Sequence, residues 1–122
     1  IQKPENENPT NWHKAQLSFI SQFKNLDEVK NIIDIGPGYG FLLREIRKHF
    51  PNIQLFALDP DRKSLAYLKK YNIQILTHIS ENNTKKGYDL IISSHCLEHY
   101  SNPDLFFKTC RKYLNKTVTT SG

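Results

Sequence analysis

Methionine is missing altogether from the 122 residues, tryptophan occurs once, and there are only two cysteines, Cys96 and Cys110. Two thiols are too few for a disulfide framework or a tetrahedral zinc centre, so the expected compartment is a reducing cytoplasm and no metal site is expected. No apolar run approaches the ~20 residues that a membrane span needs, and no secretory signal pattern opens the chain. Long blocks of one charge are absent too. Lys and Arg number 17 against 12 Asp and Glu, a net +5, with lysines in pairs such as Lys69-Lys70 and Lys85-Lys86. Charge so dispersed belongs to solvated helix and loop surface, and no aromatic-basic interleaving turns it into a nucleic-acid footprint. The chain opens on Ile1 without an initiator residue, from which we expect a processed product or part of a longer chain.

What is present suits one domain of ordinary size. A 38% hydrophobic and 24% charged composition excludes a disordered tail and a collagen-like repeat. Residues 1–11, polar and carrying Pro4 and Pro9, read as a leading segment, and residues 12–122 as the domain. Asn11 is placed to cap a helix with apolar positions Trp12, Ala15, Phe19 and Phe23, widened by Leu17 and Ile20. The run Asn31 to Ile35 reads as a buried parallel strand, and Leu42, Leu43, Ile46 and Phe50 as the next helix, stopped by Pro51-Asn52. Further strands are expected at 53–58, 73–76 and 88–93. Asp61 would cap a helix bearing Leu65, Leu68 and Tyr71, and Pro103 would open a last helix bearing Leu105, Phe106, Cys110, Tyr113 and Leu114. Strands alternating with helices of about ten residues make an α/β domain with a parallel sheet. Four strands are few for this class and leave an edge bare. Either 117–120 begins a fifth strand or the domain continues beyond this chain.

Asp34-Ile35-Gly36-Pro37-Gly38-Tyr39-Gly40 joins a strand to a helix at the strand's carboxyl end, where open α/β sheets bind ligands. The glycines permit a sharp turn and let a ligand meet bare backbone. The dinucleotide pattern G-x-G-x-x-G needs its third glycine where this chain has Phe41. Asp34, two residues before the first glycine, suits a cationic ammonium or sulfonium better than a diphosphate. Asp59 follows the second strand, 59 − 36 = 23 residues after Gly36, where an acid accepts bonds from both hydroxyls of a ribose. Asp61 is the better cap for the next helix, which frees Asp59 for that role.

The glycine turn, Asp59, and Tyr88 through His99, which contains Leu97-Glu98-His99, stand in an order and spacing that resembles class I S-adenosylmethionine-dependent methyltransferases over residues 12–116. The resemblance implies a Rossmann-like open, mainly parallel sheet with helices on both faces, here ending after the fourth strand and its helix. It implies S-adenosylmethionine as cofactor, with S-adenosylhomocysteine as product. Backbone at Gly36 and Gly38 would face the methionine portion, with Asp34, Pro37 and Tyr39 alongside and Gly40 starting the helix close by. Asp59 would take the ribose, Pro60 would border the adenine, and His78 and Ile79 would line its edge where relatives often have an aspartate. Ser94 and His95 would lie near the methionine amino group. His99 and His95 are the candidates for a general base toward a hydroxyl acceptor; the alternative is that these residues and Glu98 merely tie the loop to backbone. The acceptor is expected to be a small molecule rather than nucleic acid, and a homodimer through the bare sheet edge is a further expectation. Two rival functions stay open: a binding module without catalysis, and an NAD-dependent oxidoreductase.

Overall fold

The computed structural model describes residues 11–37, 40–59, 65–79, 87–93 and 103–114. Helix α1 (Asn11–Phe23) leads through a short 3₁₀ turn (Leu26–Glu28) into strand β1 (Asn31–Ile35), followed by helix α2 (Phe41–His49) and strand β2 (Gln54–Leu58). A 3₁₀ helix (Ala66–Tyr71), strand β3 (Ile73–Leu76), strand β4 (Leu90–Ser93) and helix α3 (Pro103–Tyr113) complete the order. All pairings are parallel and the sheet runs β3-β2-β1-β4. β1 is therefore interior. Its five residues are all buried, which explains an unbroken apolar run around the single acid Asp34.

Each face of the sheet has its own core. Ile32, Leu55, Ala57 and Ile73 pack under α1, α2 and the 3₁₀ helix, whose Leu17, Leu43, Ile46 and Leu68 turn inward. Ile33, Ile35, Phe56 and Tyr88 form the other, with Cys110 and Tyr113 of α3 against them. The sheet is thus sandwiched between helical layers, the right-handed solution for parallel strands.

α1 differs in phase from the expectation. Leu17 and Lys24 are buried and Ile20 packs on the core, while Ala15 is exposed and Phe19 is 61% exposed. Leu17, Ile20 and Lys24 recur at spacings of three and four, so that row meets the core and Phe19 falls off it. The stretch expected as a full helix over Leu65 to Tyr71 is a tight 3₁₀ helix, ended by Asn72 in the left-handed region at φ 59°. The fourth strand starts at Leu90. Tyr88 instead makes a parallel bridge with Leu114, its N–H donating to the Tyr113 carbonyl at 2.8 Å. The backbone leaving α3 therefore begins to pair beside β4, and 115–122 lie outside the described residues.

Two polar fasteners hold the amino-terminal end of the sheet. Asn31 Oδ1 accepts from the Asp89 N–H at 2.6 Å, its Nδ2 donates to the Gly87 carbonyl, and Asp89 Oδ2 accepts from the Lys30 N–H at 2.7 Å. The Arg47 guanidinium donates to the carbonyls of Tyr71, Asn72, Pro51 and Ile53, joining the end of α2 to the chain entering β2 and β3. Asp89 belongs to the segment that suggested the family, and it secures strands at the end opposite the glycine turn. Among the described residues no helix is long and apolar enough to cross a membrane.

Candidate functional site

The carboxyl ends of β1, β2 and β3 are stitched together as a staircase. Gly36 N–H donates to the Leu58 carbonyl at 2.9 Å, and Asp59 N–H donates to the Leu76 carbonyl at 3.2 Å. Gly36 has φ 66°, a left-handed conformation that turns the chain out of β1 at no side-chain cost. The turn closes when Gly40 N–H donates to the Pro37 carbonyl at 3.0 Å, and α2 begins when the Gly40 carbonyl accepts from Arg44 N–H. Gly40 itself sits at φ 75°, and a Cβ there would lie 2.7 Å from Leu68 Cδ1. This glycine is needed for both its backbone angle and its contact with the 3₁₀ helix.

Asp59 is half-buried one step from that turn, so the sheet sets an acid and a bare backbone at the ends of adjacent strands. Asp34 has no exposed surface. It shares the α1–α2 face with Ile32 and pairs in register with Ala57 and Ile92. His78 is exposed after β3, whereas Ile79 is buried in the α3-side core and its carbonyl accepts from Tyr88 Oη at 3.3 Å. Pro37 is buried within the turn. Gly38, Tyr39, Pro60, Ser94, His95, Glu98 and His99 lie outside the described residues.

Burial holds the Lys24 ammonium below its usual range, with Asp89 and Glu28 pulling it partly back, and burial likewise lowers the Arg47 guanidinium. The Cys110 thiol is pushed up by burial, as befits an inert packing residue. Among the described residues no group of three or more His, Cys, Asp or Glu is placed to hold a metal ion.

Comparison with known proteins decides between the chemistries that such an edge allows. The profile of a family described as "Methyltransferase domain" matches residues 12–119. The chain belongs to the methyltransferase-domain family. It is 32% identical over 102 residues to the release factor glutamine methyltransferase of Flavobacterium psychrophilum, covering 77% of this chain and 34% of that protein. It is 35% identical over 86 residues to the ribosomal RNA small subunit methyltransferase G of Mycoplasma capricolum, covering 63% of this chain and 36% of that one. Among solved structures, the plantazolicin methyltransferase BpumL in complex with a pentazolic desmethylPZN analog and SAH superposes with a TM-score of 0.66 at 27% identity. That match covers 84% of this chain and 43% of the other. The chain spans about a third of the length of these curated relatives.

For this methyltransferase domain, the open parallel sheet with helices on both faces agrees with the expected fold, and none of these matches is an oxidoreductase. Phe41, which occupies the third glycine position of the dinucleotide pattern, is buried at the start of α2 with the Arg44 guanidinium 5.4 Å from its ring centroid. The structure brings together Gly36, Pro37, Gly40 and Asp59. It sets Asp34 beneath them and Ile79 in the core. Sequence reasoning missed a cavity of about 470 Å³ beside this edge, bordered by Ala15, Gln16 and Ile20 among others. No sequence signal marked it, because Phe19 belonged to the row expected to be buried and only the packing of α1 leaves it exposed.

Proposed function

We propose that this methyltransferase domain binds S-adenosylmethionine across the carboxyl ends of β1 and β2 and serves methyl transfer to a small-molecule acceptor. The observation that carries the reading is the left-handed Gly36 turn one strand away from the half-buried Asp59. These residues fit such a group. The turn presents main chain without Cβ atoms to an amino-acid moiety, and a carboxylate accepts hydrogen bonds from two hydroxyls of a sugar. When bound, this cofactor supplies an electrophilic methyl group on a sulfonium.

In this reading Gly36, Pro37, Gly38, Tyr39 and Gly40 form the floor, Asp59 orients the ribose, and Pro60, His78 and Ile79 flank the adenine. Ser94 and His95 hold the amino-acid end, and buried Asp34 braces the turn from below. His99 or His95 takes the acceptor's proton where the acceptor is a hydroxyl. Positioning carries most of the acceleration, since well-oriented reactants gain roughly 7–11 kcal/mol, and a base adds about 10²–10⁴-fold.

Calorimetry with S-adenosylhomocysteine tests the assignment. Asp59→Ala removes charge-assisted hydrogen bonds, each worth roughly 1.5–3 kcal/mol, so affinity should fall at least tenfold, by about 1.4 kcal/mol. Unchanged affinity would remove Asp59 from the site. Acceptor class is read separately by offering labelled cofactor with small molecules and with RNA, because one relative is a ribosomal RNA methyltransferase. Label incorporated into RNA alone would overturn the small-molecule acceptor.

A further inference from the structure

The chain leaving β3 at one edge of the sheet must reach β4 at the other edge. Both described ends of that connection, Ile79 just after β3 and Tyr88 just before β4, are buried in the α3-side core. Tyr88 is only 1% exposed. Its ring meets Phe56 of β2 edge-on, with centroids 5.5 Å apart and planes at 76°. Apolar packing accounts for the ring but not for the hydroxyl. A phenol buried this deeply needs a hydrogen-bond partner, and Tyr88 Oη donates to the Ile79 carbonyl at 3.3 Å.

That bond fixes one side of the turn after β3, and the other side is fixed at the strand end. The carbonyl of Leu76, the last residue of β3, accepts from Asp59 N–H at 3.2 Å. Half-buried Thr77 and exposed His78 therefore lie between two anchored carbonyls, one tied to Asp59 and the other to Tyr88. The Ile79 side chain, packed in the same core, adds a third hold. Two residues pinned on both sides have little freedom to shift relative to Asp59. A ligand that lies against such a segment finds it already in place, which lowers the ordering cost of binding.

We infer that the Tyr88 hydroxyl is a positioning group for the base of the cofactor: through the Ile79 carbonyl it holds the Thr77–Ile79 turn in place beside Asp59. The inference rests on the cofactor reading above, in which His78 and Ile79 flank the adenine and Asp59 takes the ribose. Being buried, Tyr88 meets no ligand itself and acts only through the turn.

Tyr88→Phe keeps the ring and removes the hydroxyl. Two ligands are titrated into the full chain and followed by amide shifts in NMR spectra. One is S-adenosylhomocysteine; the other is S-ribosylhomocysteine, which has the same sugar and amino-acid end but no base. The substitution should weaken S-adenosylhomocysteine about fivefold, the scale of one hydrogen bond, and S-ribosylhomocysteine by less than about twofold. Ile33→Val is the control, since it removes one methylene from the same core on β1, outside the turn. It should lower Tm while the ratio of the two affinities stays as in the parent. A ratio that Tyr88→Phe leaves unchanged overturns the inference. So does a ratio that Ile33→Val shifts equally, because the hydroxyl then acts as ordinary core packing. In both cases S-adenosylhomocysteine still binds the parent chain and the cofactor reading stands. Failure of S-adenosylhomocysteine to bind the unsubstituted chain defeats the cofactor reading itself. Failure of S-ribosylhomocysteine alone would mean that Gly36 and Asp59 hold nothing, which defeats that reading and the inference with it.

Discussion

Gly40 carries two constraints that no other residue type meets together. At φ 75° an L side chain is strained, and the Cβ would stand 2.7 Å from Leu68 Cδ1, inside contact distance. Gly40→Ala should therefore cost about 1–3 kcal/mol, read as a lower midpoint in urea unfolding. Lys24 offers a prediction in pH. Its folded ammonium titrates below the ordinary lysine value of 10.5 because burial penalises the charge, more than Asp89 and Glu28 compensate. Between the lowered folded value and 10.5 the unfolded chain holds more protons, so stability contributed at this site rises with pH across that window. Subtracting the stability of Lys24→Met from that of the parent, measured in urea from pH 8 to 11, should give a difference that grows with pH. A flat or falling difference would place Lys24 in a polar setting instead.

At the scale of elements, the ends of the sheet are secured by different chemistry. The carboxyl end is joined by main-chain bonds from Gly36 and Asp59. At the amino end the Arg47 fork gathers four carbonyls from two separate connections. A straight apolar side chain leaves those carbonyls to water where they are exposed and orphaned where they are not. Arg47→Met should then cost roughly 2–3 kcal/mol, with little change in S-adenosylhomocysteine affinity because the fork lies at the other end of the strands. Arg47→Lys should recover only part of the loss, since one ammonium cannot reproduce the planar fork. Most of the element order was legible beforehand. β1 and β3 fall where their apolar runs end, and α2 turns in Leu42, Leu43 and Ile46 as its spacing required. The phase of α1 was not legible, because Trp12, Ala15, Phe19 and Phe23 make as regular a row as Leu17, Ile20 and Lys24, and only packing on α2 selects one of them.

At the scale of the whole molecule, occupation of the proposed cofactor site should stabilise the fold. Saturating S-adenosylhomocysteine at about 100 times its dissociation constant should raise stability by about 2.7 kcal/mol, which for a chain of this size is roughly 10 °C in Tm. Differential scanning calorimetry checks the shift, and Asp59→Ala should reduce it at the same concentration. The bridge from Leu114 to Tyr88 lies beside β4, one of the two edges of the described sheet, and a homodimer was expected through a bare edge. Sedimentation measures whether chains associate there.

Local chemistry was decided by the sequence alone: the strand–glycine–helix order, the acid after the second strand and the methyltransferase resemblance all rest on spacing along the chain, which needs no third dimension. Tertiary structure decided the rest. The order β3-β2-β1-β4 brings Gly36 beside Leu58 and so beside Asp59. The same packing buries Asp34 completely and hollows a cavity against Phe19. Which side of a half-apolar helix is covered, and what space is left between it and a sheet, depends on the volumes of residues far apart in sequence, and those meet only after the chain has folded.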